Sequence, residues 1–459
     1  MKTFSLSLFF VVSINAFAQT TDENTIKLIF DTALGQGESY KMLDHLTGRI
    51  GPRLSGSPGA AAAVEWSRHV MQEYEFDSVW LQPVMVPHWV RGQKEEGRII
   101  NSKKMGTVSV NICALGGSIG TGPNGIAAQI VEVKSFEELK QLGANHVKGK
   151  IVFFNRPMDP TKLNTFTAYV GAVNQRGQGA SEAARYGAVA VVVRSMGSNI
   201  EDYPHTGGMN YAPNVPQIPA VAISTKHAEL MSKLLKDDPG LQFYMETHCE
   251  TLEDAPSFNV IGELKGTDQS LGSEIIVVSG HLDSWDLAQG AHDDGAGCVQ
   301  AIEVLRIFKA IGYRPKRTIR AVMYMNEENG LRGGTKYAEL AEKNKEKHIA
   351  AIESDRGGFT PRGFTMSATD KEKERIRSWK PLLEPYGLSD FGQEGGGADI
   401  GPLAKVNVAL IGFLPDSQRY FDYHHSPTDT FDKVNKRELE MGSASMAALV
   451  YLLDRYGLK

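Results

Sequence analysis

Cysteine, excess positive charge and long hydrophobic runs are all scarce in this chain of 459 residues. Only Cys113, Cys249 and Cys298 occur, so a framework of disulfides cannot be what stabilises a fold of this size. The sequence leaves open one bridge between Cys113 and Cys249 or three free thiols. We expect Cys298 to be a buried thiol on the apolar face of a helix.

The overall composition excludes several classes of protein. A formal net charge of -5 provides no basic stripe, so nucleic acid is not expected as a partner. Hydrophobic residues make up 41% of the chain and charged residues 22%, which is typical of globular rather than disordered proteins. No segment after the N-terminus has about 18 uninterrupted apolar residues, so no membrane span is predicted.

The N-terminus has the pattern of a secretory signal peptide. Lys2 precedes an apolar run over residues 4–14, and Ala16 and Ala18 form a small-x-small cleavage site. The run is too short to cross a bilayer as a helix. We therefore expect residues 1–18 to be removed and the mature protein to be secreted or periplasmic.

The C-terminal half alternates short apolar runs with helical patterns. We predict strands over four segments: 274–279, 317–325, 348–352 and 406–413. A helix should follow Gly297, since apolar residues then recur at helical spacing. This alternation predicts an α/β fold with a mainly parallel mixed sheet flanked by helices. Its binding crevice should lie outside the carboxyl ends of the strands.

Acidic and imidazole side chains follow these predicted strand ends directly, and only the candidate ligand His425 lies elsewhere. The candidate metal ligands are His281, Asp293, Glu328, Asp355 and His425. Zinc binds imidazole nitrogen and carboxylate oxygen, and catalytic zinc sites keep one position open. The five ligands can serve two Zn²⁺ ions if one carboxylate, best placed in Asp293, bridges them.

Two further acids have expected catalytic roles. Glu327 directly precedes a candidate ligand, so it can lie near the metals and act as general base for the attacking water. Asp283 follows His281 by two residues, which suits an acceptor for the far nitrogen of that imidazole. The set as a whole predicts metal-assisted hydrolysis.

Each of these features has a simpler interpretation when taken alone. The sequence Asp293-Asp294-Gly295 is most often a turn or the start of a helix, and Glu327-Glu328 is usually a solvated pair. Their occurrence at successive strand ends is hard to produce by chance. The combined pattern therefore favours a metal centre.

Five motifs in order resemble the co-catalytic zinc exopeptidases, which include bacterial leucyl aminopeptidases, the glutamate carboxypeptidases and the carboxypeptidase Q group. The motifs span residues 281–286, 290–297, 326–330, 354–355 and 424–430. By this resemblance His281 and Asp355 bind one Zn²⁺, Glu328 and His425 bind the other, and Asp293 binds both. Glu327 is then the base and Asp283 orients His281. The resemblance also implies a cis peptide bond between Asp293 and Asp294.

A change in composition indicates a second domain. Residues 106–250 are rich in glycine, proline and asparagine and contain none of the candidate ligands. Their predicted strands and short helix resemble an inserted protease-associated domain. We therefore expect a signal peptide at 1–18, a catalytic domain formed by 19–105 and 251–459, and an insert at 106–250.

Four residues are candidates for contact with substrate: His424, Gly396, Gly397 and Arg356. His424 is expected to form a pocket wall rather than to be a ligand, and His292 to lie at the pocket rim. Gly396 and Gly397 allow backbone to approach a substrate terminus, but they also suit a mobile connection. Arg356 either meets a substrate carboxylate or pairs with an acid of the fold.

The resemblance implies an exopeptidase that carries two Zn²⁺ ions and hydrolyses short peptides. It leaves open whether the enzyme is a dipeptidase or carboxypeptidase, or an aminopeptidase. One alternative is a zinc transferase similar to glutaminyl cyclases, and another is a non-catalytic binding protein, as transferrin receptors are among relatives. Dimers are common in the group, so a homodimer is one expected state.

Overall fold

The protein was analysed as a computed structural model that describes residues 5–458, with side chains from residue 21 onward. Of the predicted signal peptide, residues 1–4 and all of the side chains lie outside that description. The helices are α1 Ser5–Gln36, α2 Ser39–His45, α3 Pro58–Glu73, α4 Phe136–Val147, α5 Thr165–Ala172, α6 Asn174–Ala184, α7 Thr225–Asp237, α8 Ala296–Ala310, α9 Arg332–Asn344, α10 Asp370–Arg377, α11 Lys380–Leu383, α12 Tyr420–Tyr423 and α13 Lys436–Tyr456.

The strands form two sheets. Those of the first are β1 Ser78–Val90, β10 Glu250–Leu264, β11 Glu274–His281, β12 Thr318–Tyr324, β13 Lys347–Glu353, β14 Pro361–Ser367 and β15 Ala409–Pro415. Those of the second are β2 Glu96–Ser102, β3 Gly106–Val110, β4 Ile112–Ala114, β5 Ile126–Val133, β6 Ile151–Phe154, β7 Ala190–Arg194, β8 Ala220–Ile223 and β9 Gln242–Glu246.

The first sheet has the strand order β1-β10-β12-β11-β13-β15-β14. Its four inner strands β12, β11, β13 and β15 are parallel, whereas β1, β10 and β14 run antiparallel to their neighbours. The α/β class is therefore confirmed, with a parallel centre and antiparallel borders. The predicted strand over 406–413 begins only at Ala409, because Gly401–Val406 forms a 3₁₀ helix.

Alternate side chains of the central strand enter two different cores. Ile276 and Val278 pack on the face covered by α8 and α13. Ile275 and Val277 pack on the opposite face with Tyr337 of α9. Burial on both faces explains why this strand is a continuous apolar run rather than an alternating one.

The second sheet has the order β3-β2-β9-β5-β6-β7-β8-β4 and belongs to the inserted part of the chain. It begins at Glu96, ten residues before the expected boundary at residue 106. The expected boundary was based on where glycine and proline become frequent. However, β2 precedes that point and already pairs with β9 at the far end of the insert. The second sheet thus begins within sequence that composition alone assigns to the catalytic domain.

Arg53 joins the N-terminal segment to the main sheet. Its buried guanidinium donates to the carbonyl oxygens of Leu282, Gln289 and Gly290 at 2.6, 2.6 and 2.8 Å. These three carbonyls belong to the connection that follows β11. Since a buried guanidinium is costly unless its donors are satisfied, this arrangement ties the shape of that connection to Arg53.

All three cysteines are free and buried, so no bridge joins Cys113 to Cys249. Cys298 lies on α8 as expected, with its Sγ 3.0 Å from the carbonyl oxygen of His281. None of the helices in the described part of the chain is long and apolar enough to cross a membrane.

A buried acidic pair lies where α13 meets α8. Glu440 is 2% exposed, and its Oε2 has no hydrogen-bond partner within the described residues. Its Oε1 accepts from the backbone N–H of Tyr40 at 3.2 Å. Burial, and then the charge of Glu303, raise the pKa of Glu440 to about 7. Ionised Glu440 therefore destabilises the packing of these helices.

We expect Glu440→Gln to raise the melting temperature, and to raise it more at pH 8 than at pH 5. The unfolded chain releases this proton near pH 4.3, whereas the folded chain keeps it to about pH 7, so wild-type stability falls across that window. Glutamine carries no such penalty. Thermal unfolding at both pH values tests this, with exposed Glu374→Gln as the matched control. An equal shift at both pH values would contradict it.

Candidate metal centre

The candidate ligands meet because their strands are parallel neighbours. His281 is the last residue of β11, Glu327 and Glu328 follow β12, and Asp355 follows β13. His281 pairs in register with Tyr324, so the turn after β12 lies directly beside it. Three consecutive strands in the sheet thus deliver their polar ends to one edge.

Asp293 is shared by two clusters of donor atoms. His281 Nε2 lies 3.2 Å from Asp293 Oδ1 and 3.3 Å from Asp355 Oδ1. His425 Nε2 lies 3.3 Å from Asp293 Oδ2 and 3.1 Å from Glu328 Oε2. The two oxygens of one carboxylate therefore face two different imidazoles.

These separations fit bound zinc. Two ligand atoms at about 2.0–2.1 Å from one tetrahedral ion lie roughly 3.3–3.4 Å apart, close to the observed spacings. Asp293 Oδ2 is buried without a hydrogen-bond partner within the described residues, as a metal-facing oxygen would be. The donor set of imidazole and carboxylate suits a borderline divalent cation. The residues present thus fit zinc on each side of Asp293.

The proximity of these buried acids shifts the pKa values of the groups around Asp293. Burial, and then Asp293, raise the pKa of Glu328 to about 7. Although burial opposes a charged ring, Glu328 and Asp293 raise the pKa of His425 to about 10. Asp355 and Asp293 likewise raise the pKa of His281 well above its usual value against the effect of burial. The cluster attracts positive charge on both sides of its central carboxylate.

Asp283 acts differently from the expectation. The Nδ1 of His281 lies 3.0 Å from the backbone carbonyl of Asp283, and 3.9 Å from its carboxylate. That carboxylate instead accepts the backbone N–H groups of the ligand-bearing turn: Asn326 at 2.7 Å, Glu327 at 3.1 Å and Glu328 at 3.3 Å. The chain bends after β11, so the carbonyl reaches the imidazole while the side chain turns toward the neighbouring strand end.

Two acids beyond the predicted set hold Asp293 in place. Asp429 accepts from the backbone N–H of His292 at 2.7 Å and of Asp293 at 3.1 Å. Asp294 accepts from the N–H of His281 at 2.9 Å, and the peptide bond before it is cis, as the resemblance implied. Both acids lie within the motifs that carry the family resemblance. The sequence does not show which backbone N–H groups they accept from.

The centre lines a cavity of about 720 Å³ between the two sheets. Its lining includes Asp293, Glu327, Glu328, Asp355, His424 and His425. His424 stacks on His425 with ring centroids 3.5 Å apart, and its Nε2 lies 3.8 Å from Asp293 Oδ2. His424 thus lies in the cavity wall and also within reach of the shared carboxylate.

The other candidate substrate residues line a smaller cavity of about 250 Å³ beside Asp355. Gly396, Gly397 and Arg356 all belong to it. A methyl group on Gly397 would lie 2.1 Å from Glu353 Cδ, so a larger residue has no room there. Arg356 stacks on Phe166 of the insert, 4.7 Å from the ring centroid.

The prediction that His292 lies at the pocket rim was wrong, and the cavity contains a cation, Arg176, that the sequence did not predict. His292 is fully buried and stacks on Phe359, and its Nδ1 accepts from the backbone N–H of Gly358 at 3.2 Å, so its side chain does not line the cavity. Arg176, on α6 of the insert, reaches the main cavity and lies 3.5 Å from His425 Nδ1. Nothing in the sequence near Arg176 connects it with residues 249 positions away.

Comparison with known proteins agrees with this architecture. Residues 259–450 match the model of peptidase family M28, and residues 121–231 match the model of the PA domain. Mouse carboxypeptidase Q is 35% identical over 434 residues, which cover 94% of this chain and 89% of that protein. Human carboxypeptidase Q is 35% identical over 418 residues, which cover 91% and 85%.

Solved structures show the same fold. A peptidase M28 precursor from Shewanella amazonensis SB2B superposes with a TM-score of 0.90 at 33% identity, covering 96% of this chain and 99% of that one. A zinc aminopeptidase from Bacillus subtilis has a TM-score of 0.64 at 21% identity, covering 90% and 94%. The match over nearly the full length, including the insert, shows that this chain belongs to peptidase family M28.

Proposed function

We propose that the protein is a di-zinc exopeptidase that hydrolyses short peptides. His281 and Asp355 would hold one ion, Glu328 and His425 the other, and Asp293 both. The observation that carries this proposal is the position of Asp293, whose two oxygens each face a different histidine. When bound, the zinc ions would supply the Lewis acidity that activates water and polarises the scissile carbonyl.

Glu327 is the proposed general base. It lines the main cavity beside Asp293 and Asp355. Burial, and then the charge of Asp355, raise the pKa of Glu327 well above its usual value. A carboxylate with a raised pKa can take a proton from water and return it to the leaving amine. Asp283 fixes the backbone on which this group sits.

The alternatives from the sequence have less support. A non-catalytic binding protein would have no need for a base beside the complete ligand set, and a transferase has no observation in its favour. The predicted signal peptide supports export of the mature chain. A homodimer remains a prediction of the resemblance.

Arg176 supports recognition of a free carboxyl end. It is 7% exposed, and no carboxylate within the described residues pairs with it. Its Nη2 donates to Tyr169 Oη at 2.6 Å, while its Nε has no partner in the described residues. A buried guanidinium that lacks a carboxylate partner within the described residues, at a peptidase cavity, suits a substrate carboxylate. We therefore place the enzyme on the dipeptidase or carboxypeptidase side.

We expect hydrolysis of free dipeptides to stop on chelation and to return with zinc. Glu327→Gln should lower kcat by about 10²–10⁴-fold, because proton transfer loses its base. The same variant should still bind zinc, since Glu327 is not a proposed ligand. Metal content and initial rates on purified protein test both statements. Wild-type protein that holds two zinc ions yet cleaves no dipeptide would overturn the exopeptidase proposal.

Arg176→Gln should separate free from blocked carboxyl ends. Loss of one charge-assisted contact predicts a fall of about 10- to 100-fold in kcat/KM for a free dipeptide. Hydrolysis of the corresponding C-amidated dipeptide should change less than twofold. The control is Arg185→Gln, at the exposed end of the same helix. Equal losses on both substrates would assign Arg176 to structure instead.

A further inference from the structure

The loop that carries His425 is held by the inserted domain as well as by the catalytic sheet. Thr206, which lies between β7 and β8, donates its backbone N–H to the carbonyl oxygen of His425 at 2.9 Å. His205 places its ring Nδ1 2.7 Å from the carbonyl oxygen of His424. Two adjacent residues of the insert therefore hold two adjacent peptide groups of the ligand loop.

The imidazole of His425 is also oriented by the insert. Its Nε2 faces Glu328 and Asp293, whereas its Nδ1 lies 3.3 Å from the carbonyl oxygen of Thr206. Arg176 Nη1 lies farther from this nitrogen, at 3.5 Å, and donates to the same carbonyl oxygen at 3.4 Å. When Nε2 binds a metal ion, the proton of a neutral ring is on Nδ1, which then donates to the carbonyl oxygen of Thr206. Nε2 then keeps its lone pair for a metal ion.

The contact between the His425 loop and the insert leaves little room on either side. His425 has a backbone φ of +60°, a left-handed conformation that is unfavourable for a residue with a Cβ. Gly207, next to Thr206, has a φ of +136°, and a methyl group there would lie 2.7 Å from His425 Nδ1 and 2.4 Å from Arg176 Cζ. The unfavourable backbone conformation of His425 thus occurs where Thr206 and Gly207 of the insert pack against it.

His205 is itself firmly fixed. It is 1% exposed, and its Nε2 lies 2.7 Å from Glu201 Oε1. Its backbone N–H donates to Ser195 Oγ at 2.8 Å, directly after β7. A continuous line of hydrogen bonds therefore runs from a strand of the insert, through His205, to the peptide before His425.

We propose that His205 is a positioning residue for the metal ion bound by His425. The inserted domain thereby sets the affinity of one of the two metal sites, in addition to lining the cavity. This inference rests on the proposed di-zinc function. Loss of the group that hydrogen-bonds the far nitrogen of a metal-binding histidine typically changes metal affinity about 10–100-fold. For His425 that group is the carbonyl oxygen of Thr206, and His205 precedes Thr206 in the chain and holds the peptide group before His425.

The test compares zinc affinity in full-length variants. Metal-stripped wild type, His205→Leu and His205→Asn are titrated with Zn²⁺ against a chromophoric chelator, giving two dissociation constants for each protein. We expect His205→Leu to raise one of the two about 10–100-fold and to leave the other unchanged. His425→Ala identifies that ion, because it should remove the same one.

His205→Asn provides the rescue. Its side-chain amide can still donate to the carbonyl oxygen of His424, so most of the lost affinity should return. Gly207→Ala is a second test of the same contact. Its methyl group should displace His425 without changing His205, and should weaken binding of the same zinc ion. The matched control is His227→Leu on α7 of the insert, where the ring contacts Ser224, and both constants should stay at the wild-type value.

Three results separate the possibilities. His205→Leu and Gly207→Ala with both constants unchanged would overturn the positioning role. Both constants raised equally, together with a lower melting temperature of the metal-free protein, would assign His205 to general stability and also overturn it. Wild type that binds fewer than two zinc ions would instead overturn the di-zinc function itself, whatever the variants show.

Discussion

The accumulation of buried acid around Asp293 is the constraint on which the rest of the structure depends. Asp293, Glu328, Asp355 and Glu327 converge beside His281 and His425, whose imidazoles lie against the carboxylates. Carboxylates cannot remain ionised together in a buried site without cations, and the raised pKa of Glu328 and Glu327 records that conflict. A divalent ion on each side of Asp293 would resolve it, and would let the proposed base Glu327 lie beside the proposed ligands.

Much of the surrounding structure serves to hold that edge of the sheet. Asp283 gathers three backbone N–H groups of the turn after β12, and Asp429 gathers two beside Asp293. Arg53 secures the connection after β11 through three carbonyl oxygens. These groups hold backbone rather than reactive atoms. They hold the proposed ligands by fixing the peptide groups that carry them.

The insert is part of the site. Arg176 reaches the cavity from α6, and the segment around Thr206 contacts the loop of His425 from the opposite side to Glu328. Residues of the insert and of the catalytic part both line the cavity. The same short segment of the insert, around Thr206, therefore borders both the proposed carboxylate site at Arg176 and the proposed metal ligand His425.

The sequence alone determined the α/β class, the strands that carry the ligands and the family resemblance, because buried strands and ligand motifs are local patterns of residue type. It also placed Asp293 at the junction of strand and helix. Only the tertiary structure decided which atom of Asp283 reaches His281, where His292 points, that the second sheet begins at Glu96, and that Arg176 meets His425. Those outcomes depend on chain bends and on contacts between residues distant in sequence, and such contacts leave no periodic signal in a single chain.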